Sequence, residues 1–353
     1  MPVWATKIFH PTSTISFTRW SRAESPTKLL LIRFHAIGDV AITLPYACAL
    51  RRRFVNATID FLTTADCSDL PSVLDTFNTI FLFPTAKSRW TRMRHTLSWG
   101  WKVWQEEYDV IIDLQGNWMS VIVRIFGMTS AWSEFDRFAP KAANERVAET
   151  FARAGFETSL QQFTVSFRKE ALAEAGDILK NSGWDAATKL VVLNPAGLFP
   201  TRSWPLERYV DLARRWSHQE NIQFLVLGTE RVRAKAAYLR RELGSSLIDL
   251  TTKTSLAQAF GVLQHVDCVI SEDSGLMHMA WVSGIPTVVL FGSTKSYQSA
   301  PSGRHTFTFH SSDLECGNCG QPVCPLGTTE CLNRLRPEQV LEAAKTAMSR
   351  RNS

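Results

Sequence analysis

Short apolar runs recur along the chain, over residues 29–34, 58–62, 79–83 and 110–114, and again over 189–193, 223–227, 247–250 and 287–291. A continuous apolar run of this length, bounded by turn residues, predicts a strand buried on both faces of a parallel sheet. Helices are predicted between the runs, over about 40–53, 144–154, 169–181, 205–216, 256–264 and 275–282. Strand, turn and helix alternate in both halves, so the chain is predicted to be α/β with two βα-repeating domains. Its 353 residues exceed one ordinary core. The division expected is a flexible extension over 1–27, a first domain over 28–166, a second over 167–336, and a terminal helix within 337–353.

The stretch 267–294 carries the densest signal. Val269 and Ile270 close an apolar run, and Glu272, Asp273, Ser274 and Gly275 break it with turn and cap chemistry. A helix follows to about Val282, ended by Gly284 and Pro286, and the next strand runs out into Gly292, Ser293 and Thr294. A strand delivering its chain to a helix N-terminus presents free N–H groups and a positive dipole end, which together favour phosphate. Gly275 permits close approach of a ligand, and His278 lies one turn further on the same side. The plainer alternative is that Asp273 caps the helix and His278 is an ordinary buried histidine.

Other polar residues also fall after strands. Asp39 opens the helix after the first run, where it serves either as a cap or as a general base. Only Gly38 is present in that turn, so the three-glycine dinucleotide fingerprint is absent. Gln115, Asn117 and Ser120 follow the fourth run, with Arg124 close behind, and are expected to point into the same crevice as Asp39. Arg202 ends the loop 194–205 and suits bidentate phosphate contact, or is simply a surface arginine. Glu230 either complements a helix dipole or accepts hydrogen bonds from ribose hydroxyls.

Charge adds a partner class. The formal net charge of +6 points to something anionic. Residues 87–107 interleave Lys87, Arg89, Arg92, Arg94 and Lys102 with Trp90, Trp99, Trp101 and Trp104. The segment reads either as a pair of amphipathic helices with solvated arginines or as a surface for anionic lipid or glycan. No run is long enough to span a membrane and the first residues lack a secretory pattern, so a cytoplasmic protein is expected. Of seven cysteines, Cys316, Cys319, Cys324 and Cys331 form C-x2-C-x4-C-x6-C, which either converges on Zn²⁺ or Fe or remains free thiol. Cys48, Cys67 and Cys268 read as buried thiols.

The segments LLLIRFHAIGDVAITLP, YDVIIDLQGNWMS, VVLNPAGLFPTRSWPLERY and VISEDSGLMHMAWVSGIPTVVLFGST, with the cysteine tail, resemble glycosyltransferase family 9 in content and order. These are the ADP-heptose:lipopolysaccharide heptosyltransferases, and the resemblance covers about residues 28–346. It implies a GT-B fold, with two Rossmann-like domains facing across a cleft, acceptor in the first and nucleotide sugar in the second. It implies inverting transfer with no catalytic metal. Asp39 matches the proposed base. Arg202 stands where the family usually has Lys, and Glu230 matches a ribose contact. Asp273, Ser274, Gly275 and His278 match the donor turn, and Gly292 and Thr294 the Gly-x-Thr exit. The implied partners are ADP-heptose and a lipid-linked or core glycan, met at the cytoplasmic face of the inner membrane, with no nucleic acid. The terminal helix is expected to cross back onto the first domain. Transfer of another nucleotide sugar, transfer to a protein side chain, and a non-catalytic, metal-stabilised anion-binding protein are the alternatives carried forward.

Overall fold

The computed structural model describes residues 15, 17–157 and 164–351. The chain forms two compact units that part near residue 160, with residues 73–75 grouped into the second.

In the first unit the order is β1 (Lys28–Ile32), α1 (Ile37–Arg53), β2 (Thr58–Thr63), α2 (Asp69–Ser72), β3 (Ile80–Leu82), α3 (Arg89–Gln105), β4 (Val110–Asp113), α4 (Trp118–Phe126), β5 (Ala131–Glu134) and α5 (Ala143–Arg153). The strands form one parallel sheet in the order β3-β2-β1-β4-β5. Lys28 pairs with Thr58 on one side, and Leu29 with Val110 on the other. Leu29, Leu30, Leu31 and Ile32 are completely buried, as a central parallel strand requires. Chain order reverses direction across the sheet between β1 and β4. Ligands of open α/β sheets bind at such a switch point, beyond the carboxyl ends of the strands.

The second unit contains α6 (Lys169–Asn181), β6 (Lys189–Asn194), α7 (Leu206–Ser217), β7 (Ile222–Val226), α8 (Arg233–Leu243), β8 (Leu247–Asp249), α9 (Leu256–Leu263), β9 (Cys268–Glu272), α10 (Gly275–Val282), β10 (Thr287–Leu290), α11 (Ser296–Ser299), β11 (Thr306–Phe309), α12 (Glu330–Asn333) and α13 (Pro337–Arg351). Its parallel sheet runs β11-β10-β9-β6-β7-β8, with the switch point between β9 and β6. Trp204, Tyr209 and Trp216 fill the core on one face of this sheet.

Several expectations are corrected. Residues 87–107 contain one helix, α3, because Thr96, Gly100 and Val103 recur three and four apart and bury one face. Helix α4 and the edge strands β5 and β11 were not anticipated, and the edge strands are only partly apolar. Part of the expected loose extension is tied down: Thr18 pairs antiparallel with Trp132, and the Trp20 N–H donates to the Ala154 carbonyl. Residues 1–14 and 16 of that extension lie outside the described residues, as does Phe163, where the sequence also predicts the start of a short strand over 163–167. The terminal helix α13 is part of the second unit. It packs on α7 and on β9, β10 and β11, burying Val340, Leu341, Ala343, Ala344 and Ala347 in the second core.

Candidate functional site

Three loops leave neighbouring strand ends of the second sheet: 195–203 after β6, 273–274 after β9, and 291–294 after β10. The turn after β9 is built as anticipated, with one change of role. Ser274, not Asp273, is the N-cap of α10; its hydroxyl accepts the Met277 N–H at 3.3 Å and the Asn194 side-chain amide at 2.8 Å. The same amide donates to Ser271 at 2.8 Å. Gly275 is therefore the first helical residue, and His278 lies one turn in, buried, with its ring 6.1 Å from that of Trp281.

Arg202 comes to this turn. Its Nη1 lies 3.9 Å from the Asp273 carboxylate, its guanidinium stacks on Phe199 at 5.4 Å, and its buried Nε makes no hydrogen bond. The buried hydroxyl of Thr294 is likewise without a hydrogen-bond partner. Gly292 is needed for close approach, since a Cβ there would stand 2.0 Å from the Thr201 carbonyl oxygen. That carbonyl accepts the Ser293 N–H at 3.0 Å, which joins the loops after β6 and β10. Glu230, by contrast, is held on the surface by Arg233, whose Nη2 lies 2.6 Å from its carboxylate. It follows β7, at the same edge of the sheet as the other loops.

Sequence reasoning read Glu272 only as part of a turn. Its carboxylate has no exposed surface and accepts the N–H groups of Gly197 and Trp204 and the hydroxyl of Tyr209, with Lys235 Nζ at 3.8 Å. Burial pushes its pKa up to about 7 against the pull of Lys235 and these donors. Lys235 Nζ also donates to the Pro195 carbonyl at 2.8 Å and to the Ser203 hydroxyl at 3.0 Å. Gly197 has to be glycine here, because a Cβ would meet the Arg202 carbonyl oxygen at 2.2 Å. Glu272 and Lys235 together shape the loop that carries Arg202. The only sequence signal was an acid at the end of an apolar run.

In the first unit, Asp39 is the third residue of α1. Its Oδ2 accepts the Ala36 N–H at 3.2 Å and lies 2.7 Å from Arg33 Nη2. Arg33 is buried, donates through Nη1 to the Leu114 carbonyl, and stacks on Phe135 at 4.9 Å. The Asp39 side chain remains 41% exposed. Arg146 stacks on Phe135 as well, at 5.1 Å, and feels the charges of both Asp39 and Arg33. Asp39 is thus cap and exposed carboxylate at once.

The other four residues expected beside Asp39 hold structure. The Gln115 side-chain oxygen accepts the N–H groups of Phe34 and His35 at 2.9 and 3.3 Å. Asn117 caps α4 by accepting from Met119 and Ser120. Ser120, expected to point into the crevice as an acceptor-binding residue, is instead fully buried and returns the cap by accepting the Asn117 N–H. Arg124 is corrected likewise: it is buried, bonds Glu134 at 2.6 Å, lies 3.8 Å from Asp113 and stacks on Trp132 at 3.9 Å. Burial pushes the Asp113 carboxyl up to about 6.

The cysteine segment adjoins the loops after β6 and β10. Gly320 N–H donates to the Ser293 carbonyl at 2.7 Å, and the Thr201 hydroxyl to the Gln321 carbonyl at 2.6 Å. Backbone N–H groups, that of Thr329 foremost, hold the Cys324 thiol below its ordinary pKa. Burial, and less strongly Cys324, Cys319 and Cys316, raise that of Cys331. The thiols are near one another, yet among the described residues no three His, Cys, Asp or Glu side chains are grouped to hold a metal.

Two tests follow from these contacts. Arg124→Met strands Glu134 and Asp113 without their cation and is expected to cost about 3 kcal/mol in urea unfolding, with ligand affinity of the folded fraction unchanged. For Glu272 the folded state holds a proton more tightly than the unfolded chain. Its contribution to stability is therefore full below about pH 4.5 and is lost as pH rises through about 7. Relative to Glu272→Gln, the wild-type protein should lose on the order of 3 kcal/mol across that window, read from urea melts at stepped pH.

Comparison with known proteins places this geometry. A family model described as glycosyltransferase family 9 (heptosyltransferase) matches residues 97–329. Lipopolysaccharide heptosyltransferase 1 of Pseudomonas aeruginosa is 26% identical over 349 residues, covering 89% of this chain and 96% of the relative. Lipooligosaccharide heptosyltransferase 2 of Campylobacter jejuni is 29% identical over 163 residues, covering 45% of this chain and 51% of the relative. The solved structure of Escherichia coli ADP-heptose LPS heptosyltransferase II superposes with a TM-score of 0.71 at 19% identity, covering 93% and 100%. That likeness shows the GT-B fold. The family model spans well over half of the sequence, and the chain belongs to glycosyltransferase family 9, the heptosyltransferases.

Proposed function

We propose that this protein transfers heptose from ADP-heptose to a lipopolysaccharide-core or related glycan acceptor, by a single inverting displacement with Asp39 as general base. The observation that carries the reading is the carboxylate of Asp39, exposed at the switch point of the first sheet and anchored by the buried Arg33. An acceptor hydroxyl would give its proton to Asp39 as its oxygen attacks the anomeric carbon. The C–O bond to the diphosphate breaks on the opposite face, and ADP departs with the bonding electrons. Arg33 acts as a positioning residue, fixing one carboxylate oxygen.

In the second unit the leaving diphosphate is assigned to the N-terminus of α10 and to Arg202. A helix N-terminus and a guanidinium supply the positive field that developing phosphate charge needs, preorganised by Asn194, Lys235 and Glu272. The reading requires no catalytic metal, so transfer should survive EDTA. Gly292 permits the close loop packing that brings Thr294 alongside, and Glu230 is the candidate ribose contact once released from Arg233. The names of the relatives, lipopolysaccharide and lipooligosaccharide heptosyltransferases, support the choice of sugar and acceptor.

Asp39→Asn is expected to lower kcat by about a thousandfold while leaving the ADP-induced thermal shift intact; transfer at the wild-type rate would remove Asp39 as base. Arg33→Met should also lower kcat, with a changed pH profile, where a purely structural role would lower only the melting temperature. In a thermal-shift titration, ADP and ADP-heptose should stabilise the protein at lower concentration than GDP or UDP. Arg202→Ala should weaken that shift about tenfold. A preference for UDP or GDP would keep the fold and discard the heptose donor.

A further inference from the structure

Helix α3 has two faces of different use. Thr96, Gly100 and Val103 pack inward. On the outward side Trp90, Met93, Leu97, Trp101 and Trp104 follow one another at helical spacing and form an apolar stripe. The three tryptophans are 82%, 57% and 51% exposed. Helix α4 extends the stripe: Phe126 is also exposed, and its ring lies where a Cβ on Gly100 would meet it at 2.8 Å. Scattered exposed apolar residues need no explanation, but a contiguous row of this kind does.

The charge on this helix is of one sign. Arg89, Arg92, Arg94 and Lys102 belong to it, Lys87 precedes it, and it contains no Asp or Glu. Two copies meeting through this stripe about a two-fold axis would set each basic flank against the other. An anionic lipid surface meets both features: tryptophan settles at the headgroup boundary, and arginine and lysine pair with anionic headgroups. At 17 residues α3 is about 25 Å long, and among the described residues no helix is long and apolar enough to cross a membrane. The helix would lie in the plane of the interface.

We infer that α3, continued by Phe126, is a docking face for an anionic bilayer. The inference stands on the first unit alone and does not depend on the donor or the base.

The test is co-sedimentation of the full chain with vesicles of equal parts phosphatidylcholine and phosphatidylglycerol, and with phosphatidylcholine alone. The protein should partition onto the anionic vesicles and release as salt is raised. The double variant Trp101→Ser/Trp104→Ser should bind about tenfold more weakly, with an unchanged melting temperature and an unchanged ADP-induced thermal shift. Because both side chains are already exposed, the fold should tolerate the change. Equal binding to both vesicle types would overturn the inference, as would undiminished binding by the double variant. So would a dimer in light scattering that the double variant dissociates, since a second copy would then cover the stripe.

Discussion

The loop after β6 and the turn after β9 depend on one buried charge. Glu272 ends the strand β9 with no contact to solvent, and its two oxygens gather N–H groups from Gly197 and Trp204 and the Tyr209 hydroxyl. Isolating a carboxylate in this way is costly, and its raised pKa records that cost. The return is order in a loop that has no regular structure over most of its length. With Lys235 holding the carbonyls and hydroxyl of the same loop, the backbone from Pro195 to Trp204 has little freedom, and Arg202 is delivered to the turn after β9. Removing one partner of such a pair is worse than never having built it.

The first unit meets a similar demand by different means. Here the exposed member of the pair is the carboxylate and the buried member is the cation. Arg33 is enclosed by Phe135 and the Leu114 carbonyl, while Asp39 keeps part of its surface in solvent. Gln115 shapes the same turn from β4 by binding the N–H groups of Phe34 and His35. Burying Glu272 and exposing Asp39 suit a scaffold role for one and proton transfer for the other.

The central strands and the turn 272–275 were legible because they rest on local signals: unbroken apolar runs, and cap chemistry at a helix start. Asp39 was legible for the same reason, being an acid at the start of a helix. What stayed hidden depends on partners distant in sequence. Glu272 meets Gly197 across 75 positions, and nothing near either residue announces the other. The four polar residues after β4 illustrate the reverse error. Their place beyond a strand end was read correctly, but position there does not say whether a side chain faces outward or turns back to hold its own turn, as Asn117 and Ser120 do. Arg124 looked available until β5, an edge strand too short and polar to read, supplied Glu134. The cysteine tail is tied by its backbone to the loops after β6 and β10, contacts that its spacing does not announce.

The central claim is a single displacement at the anomeric carbon, driven by a base in the first unit. Proton NMR of the transfer product, with ADP-heptose of known anomeric configuration as donor, tests it most directly. The account predicts a new glycosidic linkage of opposite configuration to the donor. A product with retained configuration would contradict it, because one displacement from the face opposite the diphosphate necessarily inverts the anomeric carbon.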